Sequence, residues 1–165
     1  MGTTLTTLAL PDAVVVLRRA AIEDVRGIVE LLSDDPLGNT REDVAGEADL
    51  GPYRRAFHLI DADPAQLLVV ATTRSDEMVG TLQLSTIPGM SRRGALRAQI
   101  EAVRVAQAYR SQGLGAAMFE WAIAEARRRG CILVQLTTDK TRLDAHRFYE
   151  RLGFVASHEG LKLNL

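Results

Sequence analysis

Hydrophobic and polar residues follow two periods along the chain, and these periods predict strands and helices in a mixed order. Runs rich in Val, Ile and Leu are typical of strands, whereas apolar residues three and four positions apart are typical of helices. Strands are predicted at 13–20, 66–73, 78–87, 96–106 and 131–138, with one or two more in 154–165. Helices are predicted at 21–32, at 41–60 with an interruption at Gly51-Pro52, at 115–129 and at 142–153, with a polar loop at 33–40.

This order of elements predicts a single α/β domain (α+β in some classifications). The first strands favour antiparallel pairing, whereas the strand–helix–strand succession from 96 to 138 requires a parallel pair. The almost continuous apolar run at 131–138 is typical of a central strand covered on both faces. No repeat or linker divides the chain, so we assign 14–165 to one domain and 1–13 to a flexible N-terminal leader.

Composition and charge narrow the class of protein. The 165 residues suffice for one domain, and the net charge of −1 gives no bulk basic field that would attract nucleic acid or an anionic membrane. No apolar run approaches the length of a membrane span. The single cysteine, Cys131, excludes an intrachain disulfide and indicates a reducing, cytoplasmic location. The three histidines are scattered without ligand spacing, so we expect no metal site.

Two glycines, Gly113 and Gly115, stand at the start of a long amphipathic helix, where glycine lowers helix propensity by roughly 1 kcal/mol per residue. Backbone N–H groups at a helix start lack partners and complement phosphate oxygens when no side chain intervenes. Arg110 adds a cation at the rim, so the stretch is a candidate pyrophosphate site. A glycine turn that lets the helix pack closely on a strand is the alternative. Ala116 and Met118 stand where a nucleotide P-loop would need Lys and a dinucleotide fold would need Gly.

The segment V-R-V-A-Q-A-Y-R-S-Q-G-L-G (103–115) resembles the acetyl-CoA motif R/Q-x-x-G-x-G/A of the GNAT superfamily of N-acetyltransferases, and R-F-Y-E-R-L-G-F (147–154) is similar to its C-terminal signature. The resemblance implies a mixed, mostly antiparallel sheet with a central splayed pair of parallel strands, flanked by helices. It also implies acetyl-CoA as cosubstrate, no metal, and direct acetyl transfer to a primary amine of a small molecule in a ternary complex. A non-catalytic acetyl-CoA-binding sensor or interaction module is the alternative.

By the same resemblance, backbone amides after residue 110 hold the coenzyme pyrophosphate, and the edge of the preceding strand bonds the pantetheine arm. Arg142 stands where many family members have Asn, so it either reaches the coenzyme phosphates or lies at the surface. Phe148 is a candidate contact that also shares the apolar face of its helix. The candidate coenzyme-binding residues are Val103, Arg104, Val105, Arg110, Ser111, Gln112, Gly113, Leu114, Gly115, Ala116, Arg142 and Phe148.

Acetyl transfer to an amine requires a neutral amine, a polarised thioester carbonyl and a proton for the departing thiolate. Glu101 is the candidate base, because a carboxylate within an apolar strand is costly to bury and is expected to face a groove. It resembles the strand glutamate of glucosamine-6-phosphate acetyltransferases, although Ala102 replaces the aspartate that follows there. We expect partial desolvation to make Glu101 a stronger base. The alternative is a glutamate at the surface or in a salt bridge with Arg97 or Arg104.

Tyr149 is the candidate proton donor, since it resembles the tyrosine of the family's F-Y-E signature, whose hydroxyl lies near the coenzyme sulfur. Core packing is the alternative, because Tyr149 shares a helix face with Phe148 and Leu152. His146 and His158 are expected at the solvent-exposed surface.

The acceptor side is expected to come from the loop and helix at 33–58, the turn at 88–95 and the C-terminal strands. Acidic residues in the first segment favour a cationic amine: Asp34, Asp35, Glu42 and Asp43. Arginines provide an equal alternative, the binding of an acceptor carboxylate or phosphate: Arg54, Arg55, Arg92 and Arg93. The sequence does not choose among amino acids, polyamines, aminoglycosides, amino sugars and protein amines, and it leaves a homodimer open.

Overall fold

The computed structural model describes residues 2–34 and 50–165. The described strands are β1 (Thr4–Ala9), β2 (Val14–Arg19), β3 (Gln66–Thr72), β4 (Met78–Pro88), β5 (Leu96–Val105) and β6 (Leu133–Leu136). The described helices are α1 (Val25–Ser33), α2 (Gly51–Ala62), the short α3 (Ser91–Gly94), α4 (Leu114–Arg128) and α5 (Leu143–Arg151). Single 3-10 turns at Ile22–Asp24 and Gln107–Tyr109 precede α1 and α4.

The described strands form one sheet in sequence order, from β1 to β6. Each strand from β1 to β5 pairs antiparallel with the next, and β5 pairs parallel with β6. The last pair is parallel because the chain crosses the sheet through α4 before it returns as β6. The predicted mixed, mostly antiparallel sheet with one parallel pair and flanking helices is confirmed.

The two faces of the sheet pack under different helices. On one face, Leu67 and Val69 of β3 belong to a core that includes Met118 and Phe119 of α4. On the other face, the alternate residues of β3 pack against α1 and α2; this second core contains Leu68, Val70, Val25, Ile28, Val29 and Phe57. Successive side chains of a strand point to opposite faces, so β3 contributes to both cores.

A buried ion pair attaches the start of α1 to β2. The Arg18 guanidinium donates hydrogen bonds of 2.6 and 2.8 Å to the Asp24 carboxylate, which also accepts one of 2.7 Å from the Ala21 backbone N–H. Burial opposes the ionisation of Asp24, but the bonds from Arg18 and Ala21 outweigh it and hold the pKa of this carboxyl below its ordinary value. The pair is therefore ionised at neutral pH and fixes α1 against the sheet.

The N-terminal half differs from the sequence prediction at two places. Residues 1–13 are not a flexible leader throughout, because Thr4–Ala9 pair with β2 as an edge strand whose threonine-rich sequence carries little strand periodicity. Gly51-Pro52 begins α2 instead of interrupting a longer helix, since proline in the first turn needs no backbone N–H partner. Residues 41–49 of that predicted helix, with Asp35, Glu42 and Asp43, lie outside the described residues.

The prediction of one or two strands in 154–165 is wrong, because these residues form no strand. The Ser157 N–H donates to the Val155 carbonyl within the segment, and the Glu159 carboxylate accepts a hydrogen bond from Lys140, 19 residues earlier. Consequently β6 is the last strand of the described sheet and not a central one, and Leu133 is 38% exposed. The parallel pair lies at one end of this sheet.

Candidate active site

β5 and β6 are paired along only part of β5. Their register runs from Arg97 opposite Leu133 to Ile100 opposite Leu136, and no described strand pairs with β5 on that side beyond Ile100. β4 remains paired with β5 as far as Val105. Residues 101–105 therefore present one open edge, which begins where the parallel strands separate. We call this place the fork.

A β-bulge distorts β5 at the fork. Thr81 is opposite Arg104 and Gln83 is opposite Glu101, so the single residue between them in β4 faces both Ala102 and Val103. Ala102 has a φ of +51°, in the left-handed region that residues with a side chain rarely adopt. A bulge takes a residue out of the hydrogen-bond ladder and redirects its neighbours, and bulges are frequent beside active sites. This one separates the candidate base from the predicted coenzyme edge.

Two arginines bond to carbonyl groups of the predicted pantetheine edge. Arg104 Nη1 donates to the Val103 carbonyl at 2.8 Å, and Arg110 Nε donates to the Val105 carbonyl at 3.0 Å. A carbonyl oxygen has two lone pairs, so each of these can accept a second hydrogen bond. A ligand on this edge would lie beside both guanidinium groups.

The turn before α4 concentrates unpaired main-chain donors. The backbone N–H groups of 111–116 donate no hydrogen bond to any atom of residues 2–34 or 50–165, and the first helical bond runs from Ala117 N–H to the Gly113 carbonyl at 3.0 Å. Ser111 and Gly113 have φ values of +62° and +85°. The positive end of the α4 dipole lies at the same place. Together these features give the geometry of an anion site.

The structural reason for a glycine differs between positions 113 and 115. The positive φ of Gly113 favours glycine on conformational grounds alone, although a Cβ there would meet nothing within 4 Å. At Gly115, a Cβ would lie 3.7 Å from Phe148 Cζ and 3.8 Å from Val105 Cγ2, which are ordinary contacts. Packing of α4 on the strand therefore does not require glycine at 115, and the predicted contact with a ligand stays a prediction.

Arg110 is held by the end of α1. Its Nη2 donates to the Asp34 carboxylate at 3.1 Å and to the Asp34 carbonyl at 3.2 Å, in addition to the bond from Nε to β5. A surface cavity of about 440 Å³ borders this pair and is lined by Gly27, Glu30, Leu31, Asp34 and Met78. The cavity lies along α1 and not at the fork. The cation predicted for the rim of the glycine turn is thus present, but it is paired with Asp34.

Tyr149 lies in an aromatic cluster between α4 and α5. Its ring makes edge contacts with Phe119, Phe148 and Phe154, at centroid distances of 5.4, 5.4 and 6.1 Å. Burial raises the pKa of its hydroxyl, while the charges of Arg142 and Arg104 act in the opposite direction. The hydroxyl has no hydrogen-bond partner among the described residues. It is therefore a protonated and available donor at neutral pH. The packing that the alternative describes is present, and the role of the hydroxyl as a proton donor stays a prediction.

Glu101 is exposed on β5 at the fork. It forms no ion pair with Arg97, Arg104 or any other residue of the described ranges. The salt-bridged alternative therefore does not apply there, whereas an exposed and unpaired side chain agrees with the alternative of a surface glutamate. The described residues also do not supply the partial desolvation that is expected from the sequence. The role of Glu101 as a base stays a prediction.

The remaining predicted side chains take part in packing or in local hydrogen bonds, and these contacts account for their positions without a ligand. Phe148 contacts Phe119 and borders the glycine turn, so it serves the core and reaches the predicted coenzyme site. Arg142 begins α5 close enough to influence Tyr149. His146 and His158 bond to neighbouring polar groups: His146 Nε2 lies 3.0 Å from the Asp139 carbonyl oxygen, and His158 Nδ1 lies 2.8 Å from Ser157 Oγ.

Metal and membrane chemistry find no support in the described part of the chain. Burial raises the pKa of the partly buried Cys131 thiol, so this group is not a thiolate at neutral pH. Within residues 2–34 and 50–165, no three potential metal ligands come together. None of the helices in these ranges has the length and hydrophobicity needed to cross a bilayer.

Three features of the site were missed by the sequence analysis. The sequence predicts Asp34 only as one of several acidic loop residues. Nothing in the sequence around it indicates a bond to Arg110, 76 positions away. The bulge at Ala102 has no sequence signal, because alanine has no preference for positive φ. A row of hydrogen-bonded glutamines beside Glu101 depends on the register of four strands.

Known proteins are similar to this chain in sequence and in fold. The profile of the Acetyltransferase (GNAT) family matches residues 26–154. An aminoalkylphosphonate N-acetyltransferase of Salmonella typhimurium is 31% identical over 144 residues, which are 86% of each chain. Among solved structures, a transcriptional regulator from Bacillus halodurans C-125 is 46% identical with a TM-score of 0.86, over 92% of this chain and 99% of its own. A putative acetyltransferase from Agrobacterium tumefaciens str. C58 is 28% identical with a TM-score of 0.76, over 90% and 99%. The chain belongs to the GNAT family of acetyltransferases.

Proposed function

We propose that this protein transfers an acetyl group from acetyl-CoA directly to a primary amine of a small molecule, within a ternary complex. The observation that carries the proposal is the run of unpaired backbone N–H groups at 111–116, next to the open edge of β5. A diphosphate is the natural complement of such donors at the positive end of a helix. The absence of a Cβ at Gly115 leaves room for this group to approach.

Glu101 at the fork and Tyr149 in the aromatic cluster have complementary roles in the proposed reaction. Bound acetyl-CoA supplies the activated acyl carbon, which bonds to the amine nitrogen as its carbon–sulfur bond breaks. Glu101 accepts the proton that leaves the ammonium group, which then passes to solvent. Tyr149 donates a proton to the departing sulfur and is restored by the second proton lost from the nitrogen. The bulge at Ala102 interrupts the ladder beside Glu101, and a backbone N–H released there would polarise the thioester carbonyl.

The acceptor class follows from charge and from the relatives. The exposed carboxylate of Glu101 attracts an ammonium group, and a relative with 31% identity is an aminoalkylphosphonate N-acetyltransferase. We therefore propose small amines, with aminoalkylphosphonates as the first acceptors to assay. The sequence also supports action in the cytoplasm as a protein without nucleic-acid or membrane partners, and a homodimer is compatible with it.

A non-catalytic acetyl-CoA sensor is the second candidate, because one structural neighbour with 46% identity is named a transcriptional regulator. A sensor would bind the coenzyme at the same glycine turn but would have no need of Glu101 or Tyr149. Release of free coenzyme A thiol in the presence of amines separates the two candidates. Tight coenzyme binding without turnover against a broad amine panel would favour the sensor.

Replacement of the candidate base tests the proposed chemistry. In Glu101→Gln we expect kcat to fall by on the order of 100-fold near pH 7, with the loss reduced at alkaline pH where the acceptor is already a neutral amine. Coenzyme affinity, measured by calorimetry, should remain unchanged because Glu101 lies outside the glycine turn. Full activity and an unchanged pH profile in this variant would reject Glu101 as the base.

A further inference from the structure

A row of polar side chains crosses the sheet beside the fork. The strand registers place Gln66 opposite Ser85, Ser85 opposite Gln99, and Gln99 opposite Gln135, so one residue from each of β3 to β6 lies in line. Gln66 shares its face with Leu68 and Val70, which pack against α1 and α2. The row therefore lies on the α1/α2 face, opposite the core under α4.

Hydrogen bonds within the row fix the orientation of its amides. Gln66 Oε1 accepts from Gln83 Nε2 at 3.1 Å and from Ser85 Oγ at 2.6 Å. Gln99 Oε1 accepts from Gln135 Nε2 at 2.6 Å. With its oxygen engaged by Gln135, the amide group of Gln99 has one defined orientation, and its nitrogen points away from that bond.

The nitrogen of Gln99 is an unused donor in an almost dry place. Gln99 is only 8% exposed, and its Nε2 makes no hydrogen bond with residues 2–34 or 50–165. Other unpaired side-chain atoms of the described residues are completely inaccessible to solvent, but this nitrogen is not one of them, so it borders open space. An amide donor with so little access to water is poorly hydrated, so a ligand oxygen that enters this space would gain a hydrogen bond.

Opposite charges flank Gln99 on the same strand face. Arg97 and Glu101 lie two residues to either side, which is about 6.6 Å along a strand. Neither side chain forms an ion pair in the part of the chain that the structure describes. β5 thus carries a cation, an amide donor and an anion in line, and the anion stands at the fork where the acetyl group would be delivered.

We infer that this line selects acceptors that carry an oxyanion a few bonds from the primary amine, and that Gln99 is a specificity-determining residue. The inference rests on the proposed acetyltransferase function. The amine lies at Glu101, while the phosphonate or carboxylate oxygens accept hydrogen bonds from Gln99 Nε2. The Arg97 guanidinium, whose Nη1 lies beside Gly89 just beyond the end of β4, adds its positive charge at longer range. A site with buried donors for an oxyanion rejects the analogue that lacks it, because those donors are then left unpaired.

A matched pair of acceptors tests this inference. For 2-aminoethylphosphonate, we expect Gln99→Met to lower kcat/KM on the order of 10- to 100-fold, as for loss of a hydrogen bond to a charged group. For propylamine, which has no oxyanion, the same variant should change kcat/KM by less than about 3-fold. β-Alanine distinguishes a site for phosphonates from one that also takes carboxylates, and either selectivity supports the inference. Gln107→Met, an exposed glutamine outside the row, is the control and should leave the acceptor ratio unchanged.

Two results would overturn the inference. One is an equal loss for both amines in Gln99→Met, which indicates a structural role; the other is a wild-type enzyme that acetylates propylamine as efficiently as its oxyanion-bearing analogue. If Gln99→Met does not fold, Gln135→Met, which removes the bond that orients the Gln99 amide, is expected to show the same selective loss. If the wild-type enzyme acetylates propylamine as efficiently as 2-aminoethylphosphonate, the proposed acetyltransferase function still stands and only the acceptor assignment fails. If the protein binds acetyl-CoA but acetylates no amine, the proposed function and this inference both fail.

Discussion

β5 takes part in two candidate sites that are built from different parts of the chain. Toward α4, the coenzyme side consists of backbone groups: the N–H groups of 111–116 and the open edge at 103–105. Toward α1 and α2, the acceptor side consists of side chains, with Glu101 and Gln99 in line with a row that spans four strands. A site made of main chain depends on local conformation and changes little when most side chains are replaced. A site made of side chains can acquire a new specificity while coenzyme binding stays intact.

Removal of the Tyr149 hydroxyl should have the largest effect, because in the proposed reaction this group protonates the departing sulfur. We expect Tyr149→Phe to lower kcat on the order of 100- to 1000-fold, as for loss of a general acid. Coenzyme affinity should be preserved, since the phenyl ring keeps its contacts with Phe119, Phe148 and Phe154. Steady-state kinetics and calorimetry measure the two quantities separately.

The pH profile provides an independent readout for the same residue. Burial raises the pKa of Tyr149, so the hydroxyl stays protonated up to and beyond its ordinary value of about 10. Wild-type kcat should therefore show no loss from this group below that pH. Tyr109→Phe, which removes an exposed hydroxyl bonded to Glu77, is the control. A fully active Tyr149→Phe enzyme would leave the tyrosine with a packing role alone.

The next largest effect is expected at the glycine turn. A variant there tests whether the coenzyme side is built from backbone groups. Gly115→Ala should weaken acetyl-CoA binding about tenfold, equivalent to roughly 1.4 kcal/mol. The same change should raise the free energy of unfolding by roughly 0.5–1 kcal/mol, because alanine is the better helix former and its Cβ meets only ordinary contacts. The affinity for acetyl-CoA, measured by calorimetry, would thus fall while the stability measured by thermal unfolding rises.

Gly113→Ala is the matched variant for this test. Its φ of +85° strains any residue with a Cβ, so it should lose stability by about 1–2 kcal/mol. If Gly115→Ala instead binds acetyl-CoA as tightly as the wild type, the backbone of the turn does not approach the ligand, and the coenzyme side of the comparison is wrong.

The difference between the two sides also explains what the sequence could predict. The glycine motif and α4 are local, since Gly113, Gly115 and the apolar positions after them act within a few residues of one another. Predicted helix bounds of 115–129 agree with the observed Leu114–Arg128 within one residue. The Gln99–Gln135 bond joins residues from two strands and arises only from their register.

Local pattern also misled where long-range pairing decides the outcome. Leu161 and Leu163 alternate with polar residues as in a strand, but a strand needs a partner, and these residues remain exposed. Conversely, the threonine-rich Thr4–Ala9 has a weak pattern and is a strand because β2 offers its edge. Pairing energy depends on the neighbour as much as on the segment, so periodicity alone could not separate these cases.

The smallest predicted effect concerns Asp34, which links the two sides by bonding Arg110 from the end of α1. Both side chains are about half exposed, at 48% and 45%, so Asp34→Asn should change the free energy of unfolding by less than about 1 kcal/mol. The carboxylate competes with a diphosphate for the same guanidinium. We therefore expect the variant to bind acetyl-CoA about 2- to 5-fold more tightly at low salt, with the gain lost near 1 M salt.

Asp61→Asn, which breaks the comparably exposed pair with Arg19 far from the glycine turn, is the control and should not alter coenzyme affinity. Calorimetry at two salt concentrations distinguishes the possible roles of Asp34, because a competitor and a positioning residue predict opposite signs. Weaker binding in Asp34→Asn would mean that the carboxylate holds Arg110 in place for the phosphates. In that case the acceptor-side helix α1 supports the coenzyme site, and the two sides of β5 are less independent than their construction suggests.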